Sequence, residues 1–198
     1  MTNRQAAAAE TRKCLVAAAK ELICTKGLVN TSVEEITQSC GVSKGTFYTY
    51  FKRKEDVVLE LSQGMFGEIL SDAMAVPGSI RSKLTFYMIH FSDYIEKGSV
   101  KMAQDWIGNV AHPDLCQEGV NKLRLDSSAL ESLLSMGISA GEIAASAPAR
   151  ELAYHLTEML YGQLLCWVLS DGSYSLRQRT EHYCQTELEA FLTPYLII

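Results

Sequence analysis

Apolar residues recur along this chain at three- and four-residue steps, without a convincing run at the two-residue step of a half-buried strand. Between Thr11 and Lys26 the positions Leu15, Ala18, Ala19, Leu22 and Ile23 form one stripe, which predicts an amphipathic helix closed by Gly27. Ser32 opens a short second helix. Glu35, three residues on, completes a capping box, and Val33, Ile36 and Cys40 can face inward. Gly41 supplies a residue that tolerates a left-handed turn, Val42 an apolar plug and Ser43 a second N-cap. A brief third helix is expected from Lys44 to about Phe51, with Phe47 and Phe51 one turn apart. The fourth starts near Glu55, carries Val58, Leu61, Met65 and Ile69, and stops by Pro77-Gly78.

Helical spacing continues to the end of the chain. It predicts helices over Ile80–Lys97, Val100–Val110, Asp114–Met136, Ala149–Asp171 and Tyr174–Leu196. Gly98, Pro113, Gly137 with Gly141, Pro148 and Gly172 separate them. The expected fold is all-α, with a helix-turn-helix domain of three helices over residues 1–54 and a larger helical domain over 55–198.

Composition narrows the class. The chain has 198 residues, 47% hydrophobic and 21% charged, enough to bury a sizeable core. No apolar run is longer than that from Leu164 to Leu169, far short of the ~20 residues of a membrane span. The N-terminal MTNRQAAAAETRK has no apolar segment of a signal peptide. A cytoplasmic protein without a membrane partner is therefore expected. The net charge of −5 argues against nucleic acid until it is divided. Residues 1–56 carry nine Lys and Arg against six Asp and Glu, a net +3, and the remainder holds −8. The six cysteines form no CxxC pair and are expected to be reduced thiols, mostly buried.

The segment from Ser32 to Phe51 has the logic of a helix-turn-helix: two short helices joined by a tight turn containing glycine. A recognition helix needs small or polar residues at its start, because bulky apolar groups could not approach base edges, and Lys44-Gly45-Thr46 fits. Gly45 inside a helix costs ~1 kcal/mol relative to Ala, a cost that makes sense if nucleic acid must come close; a tight packing contact is the alternative.

The run TSVEEITQSCGVSKGTFYTYFKRKEDVV resembles the DNA-binding signature of the TetR family of bacterial transcriptional regulators. The matching elements are Thr31-Ser32-Val33, Ile36, Gly41-Val42-Ser43, Gly45-Thr46-Phe47-Tyr48, Tyr50-Phe51 and Lys54-Glu55, with the upstream Leu15, Ala18, Ala19 and Gly27. The likeness covers about residues 10–60 and implies roles. Ser32 and Val33 would meet a phosphate and a base, since helix N-termini bind phosphate through unpaired N–H groups. Ser43, Lys44, Gly45 and Thr46 would enter the major groove, Lys44 toward guanine and Thr46 toward a thymine methyl or a phosphate. Tyr48, Tyr50 and Lys54 would contact phosphates, although Tyr50 is equally suited to the core and Lys54 to solvent.

The resemblance also implies a dimer on an inverted-repeat DNA site, because one short helix reads only a few base pairs. The helix from Ala149 is apolar on most sides, so a second chain is expected to cover it, with a core inside one chain as the alternative. Leu152, Leu156, Gly162, Cys166, Tyr183, Leu188 and Phe191 are the expected interface. Aromatic and Met density after Ile80 suggests a small-molecule pocket lined by Phe86, His90, Tyr94, Trp106 and Met159, for an apolar or aromatic effector. No metal-ligand spacing links His90, His112, His155 and His182 with each other or with the cysteines, so no metal or cofactor is expected. No GxxxxGK[ST], GxGxxG, HExxH or GxSxG occurs, and no catalytic residue is assigned. The expected function is a repressor released by that effector. The alternatives are a DNA-binding regulator answering to a protein partner or to thiol oxidation, or an activator.

Overall fold

A computed structural model describes residues 3–110 and 116–197, and these are helical almost throughout. The helices are α1 (Asn3–Lys26), α2 (Val33–Ser39), α3 (Lys44–Tyr50), α4 (Glu55–Ala75), α5 (Ile80–Gly98), α6 (Val100–Val110), α7 (Cys116–Ser139), α8 (Ala149–Leu169), α9 (Leu176–Thr186) and α10 (Leu188–Leu192). A 3₁₀ turn, Thr193–Tyr195, follows. The only β-type pairing among the described residues is one bridge, Ile143 to Leu196. The long final helix expected over Tyr174–Leu196 is instead divided at Glu187, which closes α9 and opens α10. His112, Pro113 and Asp114 lie outside the described residues, as do the side chains of Val58 and Cys116.

The chain divides into two compact units. Unit 1 holds residues up to Met65 together with Lys101–Asn109, so it takes in the first half of α4 and most of α6. It therefore extends past the boundary expected at residue 54. Its core is the stripe read from the sequence: Leu15, Ala19 and Ile23 of α1 bury against Leu28, Ile36, Phe47, Phe51 and Val57. Gly27 has φ +83, a conformation that favours glycine, and the flexible Lys101 side chain lies 2.5 Å from where a Cβ would sit. Below it Thr31 is buried, its hydroxyl donating to the Gly27 carbonyl at 2.8 Å.

Unit 2 holds Phe66–Val100 and residues from Val110 onward. Helix α7 packs along α8, and α5 along α9. Its core includes Leu84, Tyr87, Met88, Leu130, Leu133, Leu134, Leu156 and Leu188. At Gly137 an added Cβ would lie 2.8 Å from Ile80 Cγ1, which explains a glycine within α7 where the sequence suggested a break.

Candidate nucleic-acid interface

Within unit 1, α3 is held by its one apolar anchor. Phe47 is fully buried, its ring 5.3 Å from that of Phe51. Helical periodicity then turns Ser43, Lys44, Gly45, Tyr48 and Thr49 to solvent, with Tyr48 57% exposed. Thr46 and Tyr50 are half-buried. Ser43 caps the helix by accepting from the Thr46 N–H at 3.2 Å, and the two hydroxyls lie 3.0 Å apart. At Gly45 an added Cβ would meet nothing nearer than Ser43 Oγ at 3.6 Å. Internal packing does not demand glycine there, which leaves close approach from outside as its physical rationale.

The helix before it is fixed with equal locality. Glu35 Oε2 accepts from the Ser32 N–H at 2.9 Å, and Ser32 Oγ accepts from the Glu35 N–H at 3.2 Å, the complete capping box. Lys26 pairs with the same carboxylate. Hydrogen bonds from Lys26 and from Ser32 hold the Glu35 carboxyl down at about 2. Val33 is half-buried against the core. Across the turn Lys44 Nζ lies 2.7 Å from Glu34 Oε2, both exposed, and this bond raises the Lys44 pKa. Lys44 thus stays charged on the open face and is steered by one weak surface partner.

Lys54 behaves differently from the expected phosphate contact. Its ammonium donates to the carbonyls of Leu28 at 2.7 Å, Val29 at 3.2 Å and Thr31 at 3.1 Å. An ammonium has three protons, and here the turn between α1 and α2 takes all three. The residue is a tie, which sequence reading missed because the acceptors are backbone groups more than twenty positions away.

Residues 15–61 match the model of the bacterial regulatory proteins of the tetR family. Residues 15–61 thus form a tetR-family DNA-binding domain. It is 27% identical to the HTH-type transcriptional regulator AcrR of Shigella flexneri, over 93% of this chain and 91% of the relative. It is 26% identical to the fatty acid metabolism regulator protein of Bacillus subtilis, over 82% and 86%. The structure of the transcriptional regulator FadR from Bacillus subtilis in complex with stearoyl-CoA superimposes with a TM-score of 0.66 at 24% identity, covering 91% of this chain and 97% of that one. The chain is accordingly a DNA-binding transcriptional regulator.

The effector residues expected for this chain are spread over several elements. Phe86 and His90 stack at 3.8 Å, with His90 exposed, and line an open groove of about 590 Å³ between α5 and α9. Tyr94 packs edge-on to Phe66 at 5.5 Å. Met159 is half-buried on α8. Trp106 belongs to unit 1, packed against the core there. Aromatic density in sequence does not become one wall because successive residues of a helix point in different directions.

What the sequence reading missed in unit 2 is a buried polar cluster. Lys122 and Asp126, one turn apart on α7, form an ion pair with 2% and 3% of their side chains exposed. The Tyr161 hydroxyl donates to Asp126 Oδ2 at 2.7 Å, and Lys122 Nζ sits 4.5 Å from the Phe66 ring centroid. Burial lowers the Lys122 pKa against the opposing pull of Asp126. The Tyr87 hydroxyl is buried, finds no hydrogen-bond partner among the described residues, and has its pKa raised by burial and by the Asp126 charge. The only sequence signal was the four-residue spacing of Lys122 and Asp126, which also describes an ordinary solvated face.

The expected dimer set is likewise redistributed. Leu152, Leu156 and Leu188 are buried within the chain's own core, a correction to their assignment as interface. Gly162 and Cys166 are exposed, and Tyr183 and Phe191 are half-buried. Beside Cys166 on α8, Leu165 and Leu169 remain exposed at 44% and 77%. The cysteine expectation also changes. Cys14 and Cys40 are joined as a disulfide, Cys24 is half-buried and Cys166 is exposed; among the described cysteine side chains only Cys184 is buried, which pushes its thiol up to about 11.

Proposed function

We propose that this chain is a dimeric repressor which binds an inverted-repeat operator through α3 and releases it when a largely apolar effector occupies unit 2. The observation that carries the DNA reading is the outward set Ser43, Lys44, Gly45, Tyr48 and Thr49, opposite the buried anchor Phe47. Small and polar groups with one lysine suit a major groove. Thr46 borders the same face, Ser32 and Val33 start the helix that braces it, and half-buried Tyr50 closes α3. Exposed Leu165, Cys166 and Leu169 on α8 are the apolar surface a second copy would cover, with Gly162 permitting close approach.

The effector reading rests on the buried cluster. A polar group left unpaired in an apolar core costs free energy, and the Tyr87 hydroxyl is such a group. A ligand with an apolar body and one hydrogen-bonding end would satisfy it. The stearoyl-CoA held by the Bacillus subtilis FadR makes a long-chain acyl-CoA the first probe. Helix α4, which contributes to both units, is the element proposed to carry the response.

Selection of duplexes from a random library by the full-length protein tests the DNA half. The expected product is an inverted repeat whose isolated half-site binds much more weakly; equal affinity for one half-site overturns the dimeric reading. Thr46→Ala with Tyr48→Phe should abolish binding to the selected duplex and leave the dimer intact. Binding should weaken with salt at a slope of about −0.9 per phosphate neutralised. For the effector, an acyl-CoA that dissociates the complex from wild type but not from Tyr87→Phe supports the reading, and identical responses overturn it.

A further inference from the structure

Cys14 lies in α1 and is exposed to solvent; Cys40 is half-buried and forms the C-cap of α2. They stand 26 positions apart in sequence, yet their Cα atoms are 5.9 Å apart, and the sulfurs are joined. A disulfide can form only between cysteines whose backbones already stand at such a separation. Here the separation is set by the unit 1 core, because Leu15 beside Cys14 and Ile36 one turn before Cys40 are both fully buried. The pairing is thus a property of the packed helices. Neither cysteine is deep in that core, so an oxidant in solution can reach Cys14 and a reductant can reach the bond.

Position gives the pair its consequence. The Cys40 N–H donates to the Thr37 carbonyl at 3.2 Å, and the next residues are Gly41 at φ +64, Val42, and Ser43, the N-cap of α3. Cys40 therefore sits at the hinge that sets α3 against α2. A covalent bond from this hinge to α1 fixes the frame on which the Ser43–Thr49 face is carried, without using any residue of that face.

We propose that Cys14 and Cys40 are a reversible redox site through which peroxides act on DNA binding. The Cys14 thiol gives up its proton and the thiolate attacks one oxygen of hydrogen peroxide; the O–O bond breaks, the departing hydroxide takes up that proton and leaves as water, and Cys14 becomes a sulfenic acid. The Cys40 thiol ionises in turn and its thiolate attacks that sulfur; the S–O bond breaks and the departing hydroxide leaves with the Cys40 proton as a second water. Two thiols are oxidised by two electrons and hydrogen peroxide is reduced to two waters. A dithiol reductant reverses the bond by exchange. The oxidised form is the held form: closing the loop between the two residues removes conformational freedom from the unfolded unit and from the α2–α3 hinge. This control is independent of any effector in unit 2.

The test uses the full-length protein, reduced and then treated with hydrogen peroxide, without added effector. Peptide mapping under non-reducing conditions should recover one species joining the Cys14 and Cys40 peptides within a single chain, lighter than the reduced pair by two hydrogen atoms. The oxidised protein should unfold at a higher temperature than the reduced protein and dissociate several-fold more slowly from a selected DNA duplex. Both differences should vanish in Cys14→Ser and in Cys40→Ser and persist in Cys24→Ser with Cys166→Ser and Cys184→Ser. Reduced wild type is the reference, so the comparison stands even where a serine variant folds poorly. The proposal is overturned if Cys14 and Cys40 remain open to alkylation after peroxide, if peroxide joins Cys166 between copies instead, or if the disulfide forms and leaves DNA dissociation unchanged.

Discussion

The two units differ in where many of their polar pairs lie. In unit 1 the helix caps and turns are held by pairs close in sequence and near the surface: Ser32 with Glu35, Ser43 with Thr46, and Asp56 accepting from the Lys52 and Arg53 N–H groups at 3.0 Å each, while the Lys54 tie to Leu28, Val29 and Thr31 reaches further along the chain. In unit 2 several lie between distant segments and are drawn inward: buried Ser92 meets buried Thr180 at 2.7 Å across 88 positions, and half-buried Tyr161 meets buried Asp126 at 2.7 Å across 35. Local pairs shape individual helices and turns. Distant buried pairs bind helices to one another and place charge where water is excluded. A surface made of caps and turns can be specified by short-range rules, whereas a buried polar interior is specified by which helices meet.

The sharpest way to break this contrast is to remove one half of the buried ion pair. Asp126→Ala leaves the Lys122 ammonium in a core position with only 2% of its side chain exposed. Removing one partner of a buried pair costs about 3–5 kcal/mol, and urea denaturation should show a loss of that size. Lys122→Met with Asp126→Leu should recover part of it, because the desolvation cost leaves with the charges while the Tyr161 hydroxyl loses its acceptor. A loss below about 1 kcal/mol would mean that the pair behaves like a surface salt bridge, and the distinction between the units would fall.

Next in size is the anchor of α3. Phe47→Ala empties a fully buried aromatic site in unit 1, at about 3–5 kcal/mol for such a truncation. Amide exchange should accelerate in α2 and α3, DNA binding should disappear, and amides of α8 should keep their protection. Equal acceleration in α8 would show that the units open together.

These two residues also mark what the sequence disclosed. Phe47 was legible because its one-turn spacing to Phe51 and the small polar residues around it leave few ways to place the helix. The caps Ser32 and Ser43 and the apolar stripe of α1 were legible for the same reason. Lys54 was misread as a phosphate contact because backbone carbonyls carry no sequence signature. Trp106 was grouped with α5 aromatics because proximity in sequence stood in for proximity in space, and α6 instead contributes to unit 1. The Cys14–Cys40 pairing and the partners of Tyr161 depend on crossings of helices, which periodicity does not encode.

A smaller effect tests whether local pairs matter singly. Ser32→Ala removes the acceptor for the Glu35 N–H and should lower stability by about 1 kcal/mol, the usual loss for an N-cap. Ser32→Gly should cost only a few tenths. Thermal unfolding of the three proteins side by side decides this, and an indifferent Ser32→Ala would shift the burden of holding α2 to the core residue Ile36.

The smallest expected effect is a pH dependence confined to the same cap. Glu35 carries a folded carboxyl at about 2 against 4.5 for the ordinary group, with Lys26 the leading cause and Ser32 next. A depressed carboxylate contributes stability above its unfolded value and loses it as acid protonates the folded form. The contribution should therefore be full above pH 5 and fade between about 4.5 and about 2. Because the pair is open to solvent, salt should shrink it. Glu35→Gln should flatten this limb of the stability curve while leaving the neutral-pH fold intact, and Lys26→Met should narrow the window from its acid end. A Glu35→Gln protein whose acid limb matched wild type would show that the carboxylate's partners are too well hydrated to bias folding, leaving the cap's stabilisation to the uncharged hydrogen bonds of Ser32.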